Sequence, residues 1–301
     1  MGAFKRVDSD FLSKGQKCGG WLYLPTEVIS KAPVVIMAHG FAAERTFRLP
    51  AFAERFAERG IAVFLFDFRN IGSSEGKPRN LVSITRQLQD WKAAITHVRS
   101  LPLIDSSKVA LWGSSYSGGE VITVAARDPK IAAIITQVPY VDPISSSLRM
   151  GVRSTLPAFP ALLHDFVRMM TRRKPYLIPV VGDPGTAAVM NSPEAKPGYL
   201  SMIPEGSTWK NETPVRSMLG PLFHLPPIIS AKKVKCPTLI IIAEKDSVIS
   251  PRALERTASR MEKAITARFP VGHFGVYSGE TFEKVVQLEA DFLVKHLVNQ
   301  L

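Results

Sequence analysis

Lys108-Val109-Ala110-Leu111-Trp112-Gly113-Ser114-Ser115-Tyr116-Ser117-Gly118-Gly119 is the stretch whose reading decides how this chain folds. It reads as a short apolar strand, a run of small residues and the beginning of a helix. A strand that turns abruptly into a helix needs small side chains around the bend, and it leaves the corner residue standing clear of the backbone. Here the corner residue is a serine. The following amide would face the same point, beside the positive end of the helix dipole.

Three serines compete for that corner. The literal Gly-x-Ser-x-Gly spacing belongs to Gly72-Ser73-Ser74-Glu75-Gly76, but Asp67 to Ile71 separate Ser74 from the apolar run Ile61 to Phe66, and Lys77-Pro78-Arg79-Asn80 follows. No helix begins where the corner requires one, so Ser74 reads as a loop residue. Around Ser115 the spacing is imperfect, because Ser117 replaces the second glycine, yet strand and helix flank it correctly. Ser117 with Ser115 and Gly119 as flanks is a rival register, set too far beyond Trp112 to be preferred. Read blandly, the same residues make a Ser/Gly-rich surface loop.

Outward from the corner, apolar strands alternate with helices. Strands are expected at Lys5 to Phe11, Gly20 to Leu24, Val34 to Ala38, Ile61 to Phe66, Lys108 to Trp112 and Ile131 to Val138, with helices near Leu49 to Arg59, Leu81 to Arg99 and Gly118 to Arg127. Near-continuous Val/Ile/Leu strands separated by helices imply an α/β fold with a mostly parallel sheet covered on both faces, its sites at the carboxyl ends of the strands. After Tyr140-Val141-Asp142-Pro143 the alternation stops, and it resumes at Pro237 to Ala243. Residues 1–141 and 236–301 are therefore read as the core and 142–235 as a cap or lid insertion. Leu156, Phe159, Leu162, Leu163, Phe166, Met169, Met170 and Tyr176 would either line a lid over the strand ends or make the insert's own core. A helix near Pro251, a strand Ala267 to Phe269 and a final helix from about Phe282 complete the pattern.

A chain of 301 residues with 46% hydrophobic content can bury a large core. The opening Met1 to Asp8 carries no apolar core of signal-peptide length, and Arg6 stands where a myristoylation signal wants Ser or Thr, so a cytoplasmic chain is expected. No apolar run approaches the roughly 20 residues of a membrane span. Cys18 and Cys236 lack Cys-x-x-Cys spacing and a nearby His cluster, and read as free buried thiols rather than zinc ligands or a disulfide. The net charge of +12 invites a nucleic-acid reading. The excess is dispersed, however, with 18 Lys/Arg against 12 Asp/Glu in residues 1–141, 12 against 6 in 142–235, and 8 of each thereafter. Apart from Arg172-Arg173-Lys174 and Lys232-Lys233-Val234-Lys235 no basic cluster appears, so no nucleic-acid partner is expected.

A serine hydroxyl is a poor nucleophile near neutral pH; it needs a base, and the base needs a carboxylate to orient it. His273, in Phe269-Pro270-Val271-Gly272-His273-Phe274-Gly275, lies just beyond the last expected strand between glycines that let the loop turn. His97 and His296 fall within expected helices, and His164 and His224 within the insert. Asp246 directly follows the Pro237 strand, so the chain order is Ser115, Asp246, His273; Glu244 and Asp142 compete for the acid. The backbone N–H groups of Phe41, after His39-Gly40, and of Tyr116 are placed to form an oxyanion hole. His39 reads as a structural residue of its turn, and Asp67-Phe68-Arg69-Asn70 as a loop fixed by hydrogen bonds.

Taken together, His39-Gly40-Phe41, the Asp67 to Ser74 turn, the Trp112 to Gly119 corner, Asp246 and Gly272-His273-Phe274 resemble the α/β-hydrolase superfamily over nearly the whole chain. Within it the sequence is similar to the branch near dienelactone hydrolases, acyl-peptide and X-Pro peptidases, and the fungal polyketide transferases and thiohydrolases. It departs from the family's pattern at Ser117, where glycine is usual. The resemblance implies acyl-transfer chemistry on a small-molecule ester or other acyl substrate, without metal or organic cofactor. The expected activity is that of a carboxylesterase-like serine hydrolase. An acyltransferase, thioesterase or peptidase would use the same residues, a noncatalytic ligand-binding protein would use the same scaffold, and a homo-oligomer is compatible with either.

Overall fold

The computed structural model describes residues 3–27, 31–151 and 156–299. Met1-Gly2, at the start of the segment weighed as a leader, and residues 152–155 of the expected insert lie outside the described residues. In chain order the first elements are β1 (Phe4–Asp8), β2 (Phe11–Ser13), β3 (Gln16–Cys18), β4 (Gly20–Pro25), β5 (Ala32–Ala38), α1 (Leu49–Glu58) and β6 (Ala62–Phe66). Next come α2 (Ile84–Ser100), β7 (Ile104–Ser114), α3 (Tyr116–Ala125) and β8 (Ala133–Gln137). Then α4 (Pro143–Met150), α5 (Phe159–Met170), β9 (Leu177–Ile178), α6 (Ala195–Leu200), β10 (Thr213–Pro214) and α7 (Pro227–Ser230) lead to β11 (Thr238–Ala243), α8 (Pro251–Ala258), β12 (Ala264–Phe269) and α9 (Gly279–Leu293).

Among the described residues eight strands form the main sheet in the order β1-β4-β6-β5-β7-β8-β11-β12. The first two pairings are antiparallel and the rest parallel. Strands β6, β8 and β11 are buried at every position, as a sheet with both faces covered requires. Neighbouring residues of β7 show the two layers. An added Cβ on Gly113 would meet Ser117 and Val121 of α3, whereas Trp112 packs on Phe52 of α1 at 5.3 Å between ring centroids. Successive strand residues point to opposite faces, so α1 and its partner α9 cover one side and α2 and α3 the other. No helix among the described residues is long and apolar enough to cross a membrane.

The expected strand Lys5 to Phe11 ends at Asp8, and β2 and β3 form a separate hairpin. Lys14 and Gly15 both have positive φ, 51° and 77°, the conformation of a tight two-residue hairpin turn. Strand β7 starts at Ile104 rather than Lys108: its register against β5 shifts between Ala32 and Val34, which lets polar Asp105-Ser106-Ser107 ride along the edge of the pairing. The expected lid or insert core corrects more sharply. Leu156, Phe159, Leu163, Phe166, Met169 and Met170 are exposed, and it is Met190, Tyr199 and Met202, later in the same segment, that line a cavity beside Ser115.

The approach of α3 to β7 leaves no room at Gly113, where a Cβ would sit 2.5 Å from the Ser117 carbonyl oxygen and 2.7 Å from Val121 Cγ2. Gly113→Ala is expected to lower stability by about 1–3 kcal/mol, the usual cost of overpacking, read as an earlier midpoint in urea with an unchanged slope.

Candidate active site

Ser115 sits at the junction of β7 and α3 with φ 54° and ψ −114°, a conformation a non-glycine residue holds only under constraint. The constraint is visible. The Ser115 amide donates to the Gln137 carbonyl at 2.8 Å, and its own carbonyl accepts from the Tyr140 amide at 2.8 Å, so both sides of the bend are pinned to the chain after β8. Ser114 and Tyr116 on either side are buried, while Ser115 remains partly accessible.

The position taken by Ser117 is explained by the same bend. Its hydroxyl donates to the Ala38 carbonyl at 2.8 Å and accepts from the Ser114 amide at 2.9 Å, with no exposed surface. Ser117 thus ties the corner to β5 instead of presenting a nucleophile. Ser74 is likewise occupied, donating to the Asp67 carbonyl at 2.7 Å and accepting from the Gly19 amide at 2.9 Å.

The loops after β11 and β12 run side by side, joined by Glu244 N–H to Phe269 O and Lys245 N–H to Val271 O, both 2.9 Å. They bring Asp246 and His273 together and then to Ser115. His273 Nδ1 lies 2.7 Å from Asp246 Oδ2, and His273 Nε2 lies 3.1 Å from Ser115 Oγ. The other Asp246 oxygen accepts from the amides of Val248 and Ile249, each at 2.7 Å, which fixes the carboxylate plane. Burial alone would depress the pKa of His273. The adjacent Asp246, by charge and by hydrogen bond, and then Glu194 outweigh it, and the imidazole is held above its ordinary value.

Competitors for these positions have other partners. Glu244 is exposed. Asp142 caps α4 by accepting from the Ile144 amide at 3.1 Å. His97 meets the Ser9 hydroxyl at 2.9 Å, His224 meets Thr85 Oγ1 at 3.0 Å, and His164 and His296 pack on Tyr176 and Phe292. His39 is buried in its turn, with Nδ1 2.9 Å from the Gly40 carbonyl and its ring edge-on to Phe68; burial pushes its pKa down. Asp67 accepts from the Arg45 amide at 2.7 Å and pairs with its guanidinium at 2.9 Å, so the Asp67 loop is fixed by hydrogen bonds.

Phe41 and Tyr116, whose amides are expected to face the corner, stack edge-to-face at 5.4 Å. Tyr116 opens α3, where first-turn amides have no acceptor within the helix. The turn bearing Phe41 is held from above: Tyr199 donates to the Phe41 carbonyl and Trp209 to the Ala42 carbonyl, each at 2.9 Å. Under the corner, the Ser114 hydroxyl makes a short hydrogen bond with Tyr277 and receives one from Gln137 Nε2 at 3.3 Å. Sequence reasoning missed Tyr199, Trp209, Tyr277 and Gln137, since each acts across a long span and none has a motif. The cavity beside Ser115 has a volume of about 30 Å³, room for one or two waters, walled by Phe41, Phe47, Met190, Tyr199, Met202 and Phe274. Among the described residues no group of His, Cys, Asp and Glu is arranged to hold a metal ion.

Residues 30–269 match the family described as serine aminopeptidase, S33. The quorum-quenching protein AidA of Acinetobacter baumannii is 39% identical over 95% of this chain and 94% of its own. The polyketide transferase af380 of Aspergillus fumigatus is 29% identical over 92% and 94% of the two chains. The crystal structure of the α/β hydrolase GrgF from Penicillium superposes with a TM-score of 0.80 at 25% identity, covering 97% of this chain and 99% of that one.

The two histidines of the cavity should titrate on opposite sides of the ordinary imidazole midpoint near 6.5. In a ¹³C-histidine NMR titration, His273 is expected above it and His39 below it; the reverse order would show that burial, not Asp246, governs His273.

Proposed function

The chain belongs to the α/β-hydrolase family described as serine aminopeptidase, S33, and from that premise we propose that it is a serine hydrolase of carboxylesterase type acting through Ser115, His273 and Asp246. The observation that carries this reading is the unbroken line from Ser115 Oγ through the His273 ring to Asp246, at 3.1 and 2.7 Å. Convergence of a serine, an imidazole and a carboxylate from three strand ends serves a definite chemistry.

In this reading Ser115 Oγ attacks the ester carbonyl carbon while His273 Nε2 takes its proton. Asp246 holds the ring with Nδ1–H toward itself and stabilises the imidazolium that forms. The carbonyl oxygen, now negative, is received by the Phe41 and Tyr116 amides. The tetrahedral species collapses, the C–O bond to the leaving alcohol breaks, and His273 returns the proton to that oxygen. Water then attacks the acyl-enzyme, giving its proton to His273 Nε2, and the acid leaves as Ser115 recovers its hydrogen.

The cavity suggests the acyl group. It is small and its walls are largely apolar, with His39 and His273 the ionisable side chains closest to neutrality on its lining, which suits a short uncharged acyl chain. Residues 142–235 act in the same reading as a cap, since Met190, Tyr199, Met202 and Trp209 reach the cavity or the Phe41 turn beneath it. A second reading, acyl transfer to an alcohol or amine, draws support from full-length similarity to proteins named polyketide transferases. It shares the acylation half-reaction, and product analysis with and without an added acceptor separates the two.

Ser115→Ala should lower turnover of p-nitrophenyl butyrate by roughly 10⁴-fold or more and abolish fluorophosphonate labelling while the circular-dichroism spectrum is kept; retained turnover refutes the assignment. Asp246→Asn should cost roughly 10⁴-fold in kcat by presenting the wrong partner to Nδ1. Because His273 must be neutral to accept a proton and its pKa is raised, kcat/KM should climb with pH along a limb centred above 6.5. Acetyl and butyryl esters should exceed the palmitoyl ester in kcat/KM, and Met202→Ala should narrow that gap.

A further inference from the structure

The chain before α6 sends one acidic side chain between the two loops that carry Asp246 and His273. Glu194 Oε1 accepts from the Ser247 amide and the Ser247 hydroxyl, each at 2.6 Å. The same hydroxyl lies 2.9 Å from that of Ser192, so Ser247 is gripped by two residues of the 142–235 segment immediately after Asp246. The second oxygen of Glu194 rests against the backbone of Gly272, the neighbour of His273. A Cβ on Gly272 would overlap Glu194 Oε2, which is a physical reason for glycine at that position.

Two short bonds to one carboxylate oxygen, from an amide and a hydroxyl, are of the charge-assisted kind and hold direction well. The carboxylate also brings a second negative charge to an imidazole already paired with Asp246, and it acts in the same sense as Asp246 on His273. The other groups around the ring do not duplicate it. Arg149 of α4 donates to the Asp246 backbone carbonyl at 2.7 Å, Lys196 is paired with Asp183 at 2.7 Å, Lys245 is exposed, and His39 across the cavity is disposed to be neutral.

We propose that Glu194 is a positioning residue that ties the 142–235 segment to the acid and base loops, clamping Ser247 with one oxygen and bearing on Gly272, beside His273, with the other. Its catalytic meaning rests on the serine hydrolase reading above, but the arrangement itself does not. Glu194 reaches both loops from outside the sheet, so withdrawing the segment would remove the clamp and one of the two charges that favour imidazolium. Cap position and base strength are thereby coupled.

The test is a ¹³C-histidine NMR titration of the full chain and of Glu194→Gln, which keeps an oxygen for Ser247 and loses the charge. The His273 midpoint is expected to fall by about 0.3–1 pH unit with that of His39 unmoved; an unchanged His273 midpoint overturns the proposal. Gly272→Ala, which displaces the carboxylate without removing it, should move the midpoint in the same direction. If the Gln variant does not fold, an unmoved midpoint in Gly272→Ala overturns the proposal instead. In ester turnover Glu194→Ala should lose about tenfold in kcat with KM little changed, and Glu194→Gln should recover most of it; equal loss in both would overturn the clamp. If the wild-type chain turned over no ester, the hydrolase reading would fall while the His273 midpoint still decided the role of Glu194.

Discussion

The close approach of α3 to β7 is the constraint on which the rest of the site depends. With glycine at 113 and a serine at 117 whose hydroxyl is consumed by Ala38 and Ser114, the helix can start one residue after Ser115. The backbone must then turn through a strained positive-φ conformation at Ser115, held there by hydrogen bonds to Gln137 and Tyr140. Strain of this kind persists only where surrounding contacts over-determine it. Serine in place of the usual glycine at 117 is a working substitution here, because its small hydroxyl fits the close approach and adds two hydrogen bonds across it.

Each side of the sheet repeats one device around that bend. Trp112 donates to buried Glu289 of α9 at 2.9 Å on one face, and Trp91 of α2 donates to buried Glu120 of α3 at 3.1 Å on the other. Burial pushes Glu289 up to about 8 and Glu120 well above the ordinary carboxyl range. Burial thus disfavours the charged form of both carboxyls, each of which accepts from an indole N–H through one oxygen while its other oxygen is buried without a partner. On one face α9 is thereby registered to β7, and on the other α2 to α3, by direction-specific bonds as well as by apolar packing.

The segment between β8 and β11 meets the site through polar contacts more than through its apolar helix. Tyr199 and Trp209 hold the carbonyls of the Phe41 turn, and Glu194 holds Ser247. Meanwhile α5 leaves Phe159, Leu163 and Phe166 largely exposed. Hydrogen bonds to backbone carbonyls and amides fix a loop's position to within a fraction of an ångström, which an apolar contact between mobile side chains does not.

The parallel strands, the corner at Ser115 and the chain order Ser115, Asp246, His273 were legible in the sequence, because period, small residues and strand ends are local properties of the chain. The expected strand Lys5 to Phe11 ran past the end of β1 at Asp8 to the first residue of β2. What the apolar residues of 156–170 would cover was not legible, since period reports that a helix has an apolar face and says nothing of what lies opposite it. Nor could the order of residues show that Tyr277 and Gln137 meet the corner at Ser114, Tyr199 the Phe41 turn and Glu194 the Asp246 and His273 loops, each being brought there by strands and loops distant in the chain. Local chemistry belonged to the sequence by itself; the distances of 3.1 and 2.7 Å that join the three side chains were decided only by the tertiary structure, because proton transfer depends on spatial separation, which residue order does not encode.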